Sequence, residues 1–251
     1  MTNLPKKITP DRIKDAIVTI HYSSNLPHEI LLGKFYDILI KDLKFSPLFM
    51  NTNTVFGKDI SNQQQEGIVI NFSNPEWLFH NESIKVVLKP YEIVFNIIDE
   101  YISWNNYFPL IKSTINALFE SKNIVVFNGF QIRYISHYPN IDLSNKVNVS
   151  LETQFDDSVC DNTSFRTIFR QEELNATINV VNKLTTTTNN LPSKNFLSVI
   201  DVMVKPINER IEVNNVLSLF EWLDKAHAYE KSTIFKILRE DYINSQLNPE
   251  F

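Results

Sequence analysis

NGFQIRYISHYPNI, residues 128–141, alternates in a way that decides the fold. Successive side chains of a β-strand point to opposite faces. Phe130, Ile132, Tyr134, Ser136 and Tyr138 therefore share one face, and Gln131, Arg133, Ile135 and His137 share the other. The first set is expected to face a core. The second carries the polar groups, so the strand belongs in an antiparallel sheet with helices packed on one face.

Upstream, DAIVTIHY has the same period of two, with Ala16, Val18, Ile20 and Tyr22 on one side. Asn25 is then a helix N-cap candidate and Pro27 a first-turn proline, and Leu31, Phe35, Ile38, Leu39 and Leu43 recur at helical spacing, so this helix should end before Pro47. A polar loop, residues 51–67, leads to a meander of three expected strands: IVINF, WLFHNESIKVVLKP and YEIVFNII. Trp104, Tyr107, Phe108, Ile111, Ile115, Leu118 and Phe119 form a second helical stripe. Pro109 has no N–H and crowds the preceding turn, so the helix is expected to start near Tyr107 or to kink.

Downstream the order recurs. NIVVF and FQIRYISHY read as two strands, followed by VNVSLETQF, SFRTIFRQ, ATINVVNKL and FLSVIDVMVKP. TTTTNNLPS reads as a loop between the last two. Beyond Pro206 the chain turns helical, with Val213, Val216, Leu217, Phe220, Leu223, Ile234, Leu238 and Tyr242 at apolar positions. Residues 1–121 and 122–251 thus form two α+β halves, or one continuous domain with a pseudo-duplicated antiparallel sheet. The order is loosely that of two TATA-box-binding-protein-type repeats, an analogy of fold that carries no function.

Composition narrows the function classes. Hydrophobic residues make up 43% and charged residues 21%, the balance of a globular protein. A net charge of −5 gives no global field for nucleic acid, so a basic groove would work against the overall sign. Cys160 is the single cysteine and MTNLPKKITP has no apolar run behind its lysines, which points to a cytoplasmic protein. No window reaches the length of a membrane span. The four glycines, Gly33, Gly57, Gly67 and Gly129, are too scattered for a phosphate loop, and the histidines show no paired metal-ligand spacing. No cofactor or metal is expected.

The chain resembles a sporadically distributed, functionally unassigned family of prokaryotic proteins of this length. The resemblance rests on LPKKITPDRIKDAIVTIHY, the Trp-led WLFHNESIKVVLKPYEIVF, the glycine-led NGFQIRYISHY, a late VIDVMV strand, and LFEWLDKAHAYEKSTIFKILREDYINSQLNPEF. It spans nearly the whole chain, and the order of the pieces carries it. The sequence departs from that pattern at Asp15 and Thr19, and at Ser136 and His137. Scattered occurrence implies a mobile or defence-type locus.

Arg133, His137 and Asp201 are the candidate binding surface. Arg133 reads as an anion or carboxylate site, or as an ion pair with a strand neighbour. Arg133 and His137 lie about 13 Å apart along one strand face, too far to act on one atom alone. Asp201 should face away from the core side of VIDVMV. Asp224 and His227, three apart on a helix, can touch. FDDSVCDNTS, with Cys160, has the composition of a turn. In SFRTIFRQ the arginines and phenylalanines occupy opposite faces, one solvated and one buried. These features favour a non-enzymatic interaction protein whose partner is another protein, with homo-oligomerisation through the C-terminal helical segment. The alternatives are a hydrolase with Arg133 and Asp201 in one pocket, and a sheet that binds nucleic acid. Phe220 and Leu223 are expected to be buried on the sheet.

Overall fold

A computed structural model describes residues 5, 8–49, 77–149, 163–188, 191–208 and 212–250. The protein is α+β. Its N-terminal half comprises β1 (Ile13–Ser23), α1 (His28–Asp37) continued by a π-helical turn (Ile38–Asp42), β2 (Ser46–Phe49), β3 (Trp77–His80), β4 (Ile84–Lys89), β5 (Glu92–Ile97) and α2 (Trp104–Glu120). The C-terminal half comprises β6 (Val126–Pro139), β7 (Thr163–Gln171), β8 (Leu174–Thr188), β9 (Leu191–Pro206), α3 (Val216–Ile237) and α4 (Glu240–Gln246). The nine strands form one antiparallel sheet in the order β2-β3-β4-β5-β1-β6-β9-β8-β7.

In each half the first strand lies at the centre and the meander folds back towards it, so β1 pairs with β5 and β6 with β9. The halves join through β1 and β6, which keep the sheet continuous from Ile13↔Ser136 to Ser23↔Val126. This order is compatible with a duplicated plan. The helices all lie on one face. Ala16, Val18, Ile20, Val86, Phe95 and Ile132 are fully buried there, as the alternation of their strands requires.

Several local readings change. Trp77 to Lys89 makes a hairpin and not one strand, because Asn81 Oδ1 accepts from the N–H groups of Ser83 and Ile84 at 2.8 and 2.9 Å and turns the chain. The last two residues of NIVVF, Val126 and Phe127, run on with FQIRYISHY as β6, where a register shift between His21↔Gly129 and Tyr22↔Phe127 interrupts the alternation with a bulge. The threonine tract belongs to the paired ends of β8 and β9, with Thr188 opposite Leu191, in keeping with the extended preference of β-branched residues. Helix α2 starts at Trp104, ahead of Pro109, and the carbonyl that the proline leaves without an N–H belongs to exposed Asn105. Pro27 occupies the N-cap of α1 in place of Asn25. Strand β2 had no signal beyond its four residues. IVINF, residues 150–155 of VNVSLETQF, and Cys160 with its neighbours to Asn162 lie outside the described residues.

Helix α3 is about 33 Å long at 1.5 Å per residue, enough to cross both parts of the core. Asn215 caps it by accepting from Ser218 N–H at 2.8 Å. Leu219, Phe220, Leu223 and Ala226 join the larger cluster, which reaches α1 and α2. Phe235 and Ile237 join a second cluster with Ile178, Val202 and α4 residues Tyr242 and Ile243. Phe220 and Leu223 are buried as expected. Leu217 is 74% exposed, and Leu219 takes the place in the stripe that spacing had given it. No helix among the described residues is long and apolar enough to cross a membrane.

Candidate functional site

Three places gather the chemistry of the molecule: the sheet face away from the helices, the polar seam under α3, and the outer edge of β7. On the first, pairing sets Ile135 opposite Asp201 and Arg133 opposite Met203, so the Arg133 side chain reaches diagonally to β9. Its Nε and Nη2 donate to Asp201 Oδ1 and Oδ2, each at 2.9 Å. This two-pronged pair is the strong form of a charge-assisted hydrogen bond. Asn179 on β8, directly opposite Asp201, donates to Oδ2 at 3.2 Å. The bonds to Asp201 raise the guanidinium pKa further, partly offset by burial and helped by the charges of Asp201 and Asp15.

The structure therefore brings Arg133 and Asp201 together, with both carboxylate oxygens of Asp201 engaged by Arg133 and one also by Asn179. His137 lies farther along the same face of β6, opposite Val199. All the aromatic residues of β1, β5 and β6 (Tyr22, Phe95, Phe127, Phe130, Tyr134 and Tyr138) are buried. Those three strands offer no exposed phenyl, phenol or indole ring for a nucleic-acid base to stack on.

The seam under α3 was not foreseen. Tyr134 Oη lies 3.3 Å from His227 Nδ1 and 3.3 Å from Tyr101 Oη. Trp104 stacks on the His227 ring at 4.4 Å between centroids and donates from Nε1 to Asp224 Oδ1 at 2.7 Å. Asp224 and His227 thus meet Trp104, where the sequence had them meeting each other. One turn on, Glu230 is 5% exposed. Burial pushes its carboxyl up to about 8, against the pull of the Lys231 charge. Burial, with Lys231 second, holds His227 down at about 4. Near neutral pH the seam therefore carries a protonated acid, a neutral imidazole and two phenols, all without charge. Spacing held a signal for it: Leu219, Leu223, Ala226, Glu230 and Thr233 recur at intervals of three or four, so Glu230 stands in the apolar stripe.

The third place is β7. It pairs with β8 from Thr163↔Asn182 to Gln171↔Leu174, and no strand among the described residues pairs with its other side. Phe165 and Phe169 lie opposite Val180 and Ala176 on the helix side, while Arg166 and Arg170 lie opposite Asn179 and Asn175. The opposite-face reading holds, but the aromatic side is not fully covered. Phe165 packs partly against the second core cluster, and Phe169 remains 49% exposed, next to Ile168 at 54%. A groove of about 410 Å³ separates this end of β7 from α3, with Phe169, Gln171, Tyr229, Thr233 and Lys236 among its lining. No protein-family model matches the chain, and no curated protein matches it.

Proposed function

We propose that this protein is a non-enzymatic interaction module that takes up an extended polypeptide along the outer edge of β7. The observation that carries this reading is the character of that edge. A strand with one neighbour presents a row of unpaired N–H and C=O groups, which is a template for another strand. Sheets ordinarily blunt such edges, and among the described residues β2 at the far side is the blunter one: it has four residues and contains Pro47, which has no N–H to offer. Strand β7 has nine residues and no proline, with two large apolar side chains exposed in its middle.

The hydrolase alternative needs Asp201 available to a substrate, and Arg133 and Asn179 engage both of its carboxylate oxygens. Co-purification from the native host with wild-type protein and with Ile168→Lys/Phe169→Lys tests the proposal. Both replaced side chains are about half exposed, so the fold should survive, as an unchanged thermal midpoint would verify. The expected result is a bound chain recovered with the wild type and lost with the double variant. Equal recovery by both would overturn the reading.

A further inference from the structure

We infer that the polypeptide paired to β7 is the β7 strand of a second copy of this chain, in the register centred on Thr167. This rests on the edge-strand reading above and names its partner. Two identical strands that pair antiparallel in one sheet are related by a two-fold axis normal to it, so one residue faces itself and the others face residues equally far on the opposite side. Both copies then keep their helices on the same side. The sequence Thr163–Gln171, TSFRTIFRQ, is close to self-complementary under that operation.

Centred on Thr167, all nine residues of β7 find partners: Phe165 faces Phe169, Arg166 faces Ile168, Ser164 faces Arg170, and Thr163 faces Gln171. Aromatic and β-branched cross-strand pairs of this kind stabilise a ladder. The half-exposed Phe169 gains the second copy's Phe165 beside the groove, and Ile168 gains the aliphatic stem of an arginine.

Neighbouring centres fare worse. A centre on Arg166 sets that arginine against itself, and a centre on Ile168 sets Arg166 against Arg170. Like charges directly opposite are destabilising, so the arginines select the register. Helix α3 packs on β6, β8 and β9, which leaves the outer edge of β7 clear of it.

Cysteine cross-linking in a Cys160→Ser background reads the register. Directly opposed residues lie within disulfide reach, whereas diagonal ones are at or beyond its limit. Thr167→Cys should oxidise rapidly to a covalent dimer. A mixture of Arg166→Cys chains with Ile168→Cys chains should cross-link faster than either variant alone. Sedimentation at tens of micromolar should show wild-type dimer and Ile168→Lys/Phe169→Lys monomer. A wild type that sediments as monomer and gives no cross-link at Thr167 would overturn self-pairing. The edge reading would then survive if the double variant still loses a host protein, and both would fail if it does not. A dimer that persists in the double variant would place the contact elsewhere and also refute the inference.

Discussion

Beneath the N-terminal half of the sheet, α1 and α2 close on Ile20, Val86, Ile93 and Phe95, all fully buried. Beneath the C-terminal half, α3 lays Glu230 and Thr233 between its two apolar ends, over strands that also bury Ser136 and Ser198. Of the nine buried polar residues among those described, only Thr19 and Thr114 belong to the N-terminal half, so the two halves respond to different perturbations. Apolar burial is indifferent to pH and fails by cavity formation. A seam of buried titratable groups is sensitive to pH and fails when a proton is taken or given at the wrong place.

The largest effect should come from cavities, and it should be similar on both sides. Phe95→Ala in the N-terminal core should cost roughly 3–5 kcal/mol and Leu223→Ala under α3 roughly 2–5 kcal/mol. Thermal unfolding at two protein concentrations checks this. An unchanged midpoint for Leu223→Ala would mean that α3 contributes nothing to the core.

Next comes the contrast in pH response. Glu230 has a folded pKa of about 8, above its ordinary 4.5. Its protonated form is therefore free of penalty below about pH 4.5, and stability is lost as pH rises towards 8. Glu230→Gln should remove that slope, adding roughly 2–4 kcal/mol at the alkaline end and nothing at the acid end. His227 works in the other direction: its folded pKa of about 4 lies below 6.5, so stability falls as pH drops between those values. Unfolding free energies across this range decide the matter. Parallel curves for wild type and Glu230→Gln would break the comparison.

The smallest effect should be at the open face. Asp201→Ala strands Arg133, but the arginine side chain is 40% exposed and water can take over its bonds. A cost of about 1–2 kcal/mol is expected, much of it returned when Arg133→Ala is added. A double-mutant cycle by urea unfolding measures this, and a coupling near zero would show that the pair contributes nothing.

Strands with unbroken alternation were legible in the sequence. Ala16 to Tyr22 and Phe130 to Tyr138 announced their buried faces, and those faces are buried. Where backbone geometry departs from a plain strand, period was a poor guide. The bulge near Gly129 made one strand look like two, and the turn at Asn81 made two look like one. Arg133 and Asp201 were each placed on the correct face, but their meeting depends on register between distant segments, which no local pattern encodes. Glu230 was legible by spacing, although a carboxylate is rarely found on a core stripe. That β7 is an outer strand follows only from the order of the sheet.

Pro47 sets a consequence of its own. A unit that joins its like through one reactive end is monofunctional, and growth stops at two; a unit with two such ends polymerises into an open fibre. By removing an amide from the four-residue strand at the far margin of the described sheet, Pro47 makes that edge a poorer template than β7. The self-pairing proposed for β7 would then close at two copies, with no propagating filament.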